Sequence, residues 1–125
     1  GVSFTADLRR FSQRTQKERD TLIRFFCLNL LRDVVLGTPV DTGRARANWQ
    51  ATLGSPATGI VESEDRNGGT TAGKGSRVAQ KAAGEVFYIT NNLPYIYRLE
   101  FEGHSSQAPA GWVRTSIDRN LRLLR

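Results

Sequence analysis

Few side chains in this sequence are equipped for proton transfer or nucleophilic attack. The 125 residues hold one histidine, His104, and one cysteine, Cys27. A thiol nucleophile needs a base beside it. His104 lies in a Gly/Ser stretch and Cys27 in an apolar one, so their positions do not pair them. A structural or catalytic zinc would take several Cys or His at short spacing, and the sequence has no such run. Glu100 and Glu102 offer two carboxylates, but Glu-Phe-Glu near a helix end reads as a solvated edge. The run Gly68-Gly69-Thr70-Thr71-Ala72-Gly73-Lys74-Gly75-Ser76 superficially suggests a phosphate loop. It lacks the required order, because Gly75 follows Lys74, and no strong strand leads into it. The residues therefore assign no catalytic, cofactor-binding or metal position, and the expectation is a protein that is not an enzyme and carries no cofactor.

Charge offers a second kind of chemistry. The chain carries a net +6. From Asp7 to Leu36 seven basic residues face four acidic ones, and from Trp112 to Arg125 four face one, while Gly37 to Gly111 balances at seven each. The excess thus sits wholly on the two terminal segments. A basic face binds phosphates or meets an acidic partner, so a small basic nucleic-acid-binding protein is the alternative function. Against it, the aromatic residues fall at apolar periodic positions that core burial explains, and no base-reading motif is present.

The elements that would position these groups follow from the apolar periodicity. Leu8, Phe11, Thr15, Leu22, Phe25, Phe26, Leu30 and Val34 predict one long helix over Asp7 to Leu36, capped by Thr5 or Asp7 and stopped by a left-handed Gly37 before Pro39. Its second half is apolar on more than one face. Ile23, Phe26, Leu31 and Val35 must be wrapped by other elements or covered by a neighbouring subunit. Ala45, Ala47, Trp49, Ala51 and Leu53 alternate with polar residues, which predicts a strand. Thr58 to Glu62 is a second strand candidate. Ser63 to Ser76 is expected to be a flexible surface loop, and Arg77 to Ala83 two turns of helix. Glu85 to Thr90 is the clearest strand. A short helix over Tyr95 to Glu100 follows, then a loop over Gly103 to Pro109. Pro109 starts a terminal helix with Val113, Ile117, Leu121 and Leu124 on one face. The sum is a single α+β domain over residues 1–125, with a long N-terminal helix and a C-terminal helix packed on a small antiparallel sheet of about three strands. No apolar run is long enough for a membrane span, and a lone cysteine asks for no oxidising compartment.

Two regions are denser in special residues. In Thr38-Pro39-Val40-Asp41-Thr42-Gly43-Arg44-Ala45-Arg46, Pro39 stiffens the turn, Asp41 and Thr42 accept backbone N–H groups, and Gly43 permits a tight path. In Ile89-Thr90-Asn91-Asn92-Leu93-Pro94-Tyr95 a strand ends in an Asx turn. Leu99-Glu100 and then Ser105-Ser106-Gln107-Ala108-Pro109-Ala110-Gly111 lead into the last helix. In this order these segments resemble the neck and tail-completion family of long-tailed bacteriophages, which includes proteins similar to minor tail protein Z. The resemblance covers roughly Thr38 to Ile117.

That resemblance implies a structural protein of the virion, in its neck or tail, assembled in the host bacterial cytoplasm. It implies a homo-oligomeric ring that joins the tail to the head connector around the DNA channel. The implied partners are further copies, the neighbouring head-connector and tail-terminator or tail-tube proteins, and transiently phage DNA, with no membrane. Pro39, Asp41, Gly43, Asn92, Pro94, Gln107 and Pro109 are the candidate shape-fixing residues. Ile23, Phe26, Leu31, Val35, Arg44, Arg46, Arg114, Arg119 and Arg122 are the candidate subunit or partner interface.

Overall fold

The computed structural model describes residues 1–7, 15–102 and 111–124. In chain order these form β1 (Val2–Asp7), α1 (Gln16–Gly37), α2 (Arg44–Ala47), β2 (Gln50–Leu53), α3 (Gly69–Ala79), β3 (Val86–Asn91), α4 (Ile96–Phe101) and α5 (Trp112–Arg122). The architecture is the expected α+β class, with helices against a three-stranded antiparallel sheet.

Helix α1 starts later than its periodicity suggested, because Asp7 belongs to a strand. Thr15, not Thr5 or Asp7, is the N-cap, and its hydroxyl accepts from the Glu18 amide at 3.2 Å. Leu8 and Phe11 lie outside the described residues. Ile23, Phe26, Cys27, Leu30, Leu31, Val34 and Val35 recur at helical spacing and are all buried. This corrects the expectation that Ile23, Phe26, Leu31 and Val35 meet a neighbouring subunit. Helices α3 and α5 both pack against α1 and, with the sheet, enclose these residues within one chain. Of the large apolar residues of α1, Phe25 and Leu36 are the ones that stay well exposed. Gly37 is not left-handed either; it ends α1 with Trp112 so close that an added Cβ would fall 2.8 Å from the indole.

The sheet order is β1-β3-β2, with β3 antiparallel to both neighbours. Ile89 stands opposite Phe4 on one side and Ala51 on the other, and Phe87 opposite Leu53, forming an apolar face toward α1. Thr5, Tyr88 and Thr52 form a polar row on the other face. That alternation fits a sheet with one face on the core. The strand count was foreseen, but one strand was misplaced. The third strand is β1, whereas Thr58 to Glu62 forms no strand.

Two further expectations are corrected. The alternation from Ala45 to Leu53 is not one strand. Ala45 and Ala47 are both buried on the short helix α2, and the strand begins only at Gln50. Ser63 to Ser76 is not a loop throughout, since α3 already begins at Gly69 and runs to Ala79. Gly75 explains why so small a helix docks: a Cβ there would sit 1.6 Å from Leu31 Cδ2, so only glycine allows this approach. On α5 the buried face carries Val113, Ser116 and Asn120, with Leu124 beyond its end, while Leu121 is exposed.

Candidate functional site

The C-terminal end of α1 leaves carbonyls without helical partners, and the first motif segment satisfies them. The Thr38 hydroxyl donates to Val34 O at 2.6 Å and accepts from the Trp49 indole at 2.8 Å. Arg46 donates to Leu36 O at 2.8 Å, Thr38 O at 3.1 Å and Arg66 O at 2.7 Å. The guanidinium fork thus ties the helix end to the turn and to the chain beyond β2. Gly43 has φ +92°, and a Cβ there would strike the backbone of Asp65 and Arg66 within 2.8 Å. Its carbonyl accepts from the Asp65 amide at 3.0 Å. Thr42 accepts the Arg44 amide, whereas Asp41 is exposed and accepts no backbone amide among the described residues.

The second segment docks on the first. Asn91 is fully buried; its side chain donates to Ala45 O at 3.0 Å and accepts from the Leu93 amide at 3.2 Å, which closes the expected Asx turn. Asn92 donates to Ala57 O and Gly59 O and anchors the chain that follows β2. Pro94 and Tyr95 then lead into α4. An open groove of about 440 Å³ runs between the Pro39–Ala45 turn and Tyr95 and Leu99.

The third segment is fastened through Glu100, which the sequence suggested was a solvated edge. It is instead fully buried. Its carboxylate accepts the Val113 amide at 3.0 Å, the Arg114 amide at 3.2 Å and Arg114 Nε at 2.9 Å. Its backbone carbonyl accepts the Gly111 amide at 2.6 Å. The negative charge therefore caps the positive end of α5. Trp112 donates to Val34 O, the same carbonyl that Thr38 holds. Arg114 also lies 4.3 Å over the Phe101 ring.

Pro39, Asp41 and Gly43 thus line one groove, while Asn92 holds the chain after β2 and Pro94 lies on the way into α4; Gln107 and Pro109 lie outside the described residues. The candidate interface arginines separate. Arg46 and Arg114 serve internal bonds, and Arg119 pairs with Asp33 at 3.1 Å. Arg44 is 3.9 Å from Glu62, and Arg122 is exposed. Sequence reasoning missed Glu100, Asn48, which brackets Val61 through both backbone groups, and Asp65, which caps α3 through the Thr71 amide and hydroxyl. Asp65 had a local signal six residues before Thr71. The partners of Glu100 have none.

No catalytic arrangement forms among the described residues. Cys27 is fully buried, and burial pushes its thiol up to about 12, so it holds its proton at neutral pH. His104 lies outside the described residues. Lys74 sits on helix α3 rather than in a phosphate-cradling loop. Among the described residues no cluster of His, Cys, Asp or Glu could hold a metal, and no helix is long and apolar enough to cross a membrane. The chain matches no family model, and no curated protein or solved structure is similar to it at a significant level.

Proposed function

We propose that this chain is a structural subunit of a phage neck or tail-completion assembly, acting through its surface and forming a ring that joins tail to head connector around the DNA channel. One observation carries the reading. The described parts of the segments that resemble that family, 38–46, 89–95 and 99–100, lock onto one another and onto the start of α5 around the end of α1. Their special residues fix a shape and leave an exposed groove edged by Tyr95, rather than a reactive centre. Further copies of the chain, the head connector and the tail-terminator or tail-tube proteins are the partners of this reading, with DNA passing through the channel.

The test is made in particles. The chain should be found in purified virions, and deleting its gene should leave heads and tails unjoined. Particles that lack the chain and still join normally would sink the proposal. Duplex-DNA binding that weakens steeply with salt, in a chain absent from particles, would favour the nucleic-acid reading. Four arginines already committed to internal bonds, Arg24, Arg46, Arg114 and Arg119, weigh against that outcome.

A further inference from the structure

Two surfaces near the sheet are unlike. On one, the Phe101 ring lies 6.5 Å from that of Phe4 in β1 and 4.7 Å from that of Tyr97. Tyr97 is 53% and Phe101 37% exposed, a concentration of aromatic surface on one short helix. Arg98, between them in sequence, is exposed, and its guanidinium makes no hydrogen bond or ion pair among the described residues. On the other, the irregular strip that follows β2 in sequence is pinned by side chains: Asn48 holds both backbone groups of Val61, and Gln50 and Asn92 donate to Gly59 O. The strip exposes Ile60 at 44%, Glu62 and Glu64. The Glu62 side chain is 85% exposed and reaches Arg44 only at 3.9 Å, while the Glu64 carboxylate makes no hydrogen bond or ion pair among the described residues.

We infer that these surfaces meet between copies: the Tyr97–Phe101 surface with Arg98 on one copy receives the Ile60–Glu64 strip of the next. The inference gives the proposed ring its subunit contact and rests on that reading for closure. The aromatic residues match Ile60, and the unpaired Arg98 matches the acidic strip. A two-fold contact through either patch would set Arg98 against Arg98, or Glu64 against Glu64. Like charge therefore disfavours the closed dimer and selects head-to-tail packing. Because the two patches share no residue, each copy docked through one patch leaves its other patch for the next copy. A contact of that kind propagates, and closes into a ring if the rotation per copy allows.

The experiment is sedimentation velocity on the purified chain over a wide concentration range, with circular dichroism melts as a control for folding. The wild type should form species larger than dimers. Glu64→Arg and Arg98→Glu should each weaken assembly by about tenfold or more, with unchanged melts because both residues are exposed. Glu64→Arg combined with Arg98→Glu in one chain should restore assembly by exchanging the charges. A wild type that stays monomeric throughout, stops at dimers, or assembles equally well with either reversal would overturn the contact. None of these results touches the ring reading itself, which stands or falls on the particles.

Discussion

Helices α3 and α5 flank α1 with the same starting device and opposite packing. Each has eleven residues. Each follows a left-handed glycine, Gly68 at φ +77° and Gly111 at φ +83°. Each takes a carboxylate from upstream at its N-terminus, Asp65 for α3 and Glu100 for α5. From there they diverge. α3 approaches α1 through the absence of a side chain at Gly75, whereas α5 approaches through bulk and polarity: Trp112 on Val34 O and Asn120 on Asp33 at 2.9 Å. Capping says where a helix starts, and packing decides how its neighbour must be built. The two flanks should therefore fail in different ways.

The largest effect should come from Glu100→Ala. It strands the buried amide of Val113, at a cost of about 1–3 kcal/mol for an unsatisfied group, and frees the part-buried amide of Arg114 at a smaller cost. Arg114 is half-exposed, so its lost ion pair adds little. A loss of about 3 kcal/mol in urea unfolding is expected. Glu100→Gln should lose less, because one oxygen still accepts. If both variants unfold at the wild-type midpoint, α5 is held by Trp112 and Asn120 rather than by its cap.

Gly75→Ala probes the other flank and should cost about 1–3 kcal/mol by overpacking. Leu31 is fully buried and has little space to retreat. Leu31→Val in the same chain should recover part of the loss, and a double-mutant cycle reads that coupling. An additive result would mean that the two residues do not meet. The same flank marks where the sequence was hard to read. The burial of α1 was legible because Ile23, Phe26, Leu30 and Val34 repeat on one face. α3 was not, because its Gly, Ser and Thr residues disfavour an isolated helix, and only docking on Leu31 makes it one. Ala45 and Ala47 misled for the opposite reason: both are buried on α2 although they stand two apart, so they mimic a strand's alternation. At the site, the Asn91 turn, Thr42 and Gly43 were visible as local turn chemistry. Glu100 was not, since its partners lie thirteen and fourteen residues on, a separation that no local pattern bridges.

Asp65 is the α3 counterpart of Glu100 and should matter less, because its bonds are local and partly solvated. Asp65→Ala should cost about 1 kcal/mol, the usual loss of a cap. Burial pushes its carboxyl upward, but the Thr71 hydroxyl and amide, the Gly68 amide and Arg46 together outweigh that and hold it below the ordinary carboxylate range. With the folded value below the unfolded one, its contribution is fully present above the unfolded value, about 4. The contribution is lost as pH falls through the folded value. Wild type and Asp65→Asn should then converge in stability under acid and separate above about pH 4. Parallel curves across that range would remove the carboxylate from the account of α3.

The smallest effect should carry the opposite sign. Gly73 lies on the same helix as Gly75, yet nothing stands within 4 Å of a Cβ built there. Its φ is not positive, so alanine fits its backbone. Gly73→Ala should stabilise the chain by about 0.5–1 kcal/mol, through helix propensity and a less free unfolded state. Two glycines two residues apart in the same helix would thus respond with opposite signs, which propensity alone cannot produce. If Gly73→Ala and Gly75→Ala both stabilise, α3 does not press on α1. If both destabilise, the outer face of α3 is covered too, and the contrast between the two flanks of α1 disappears.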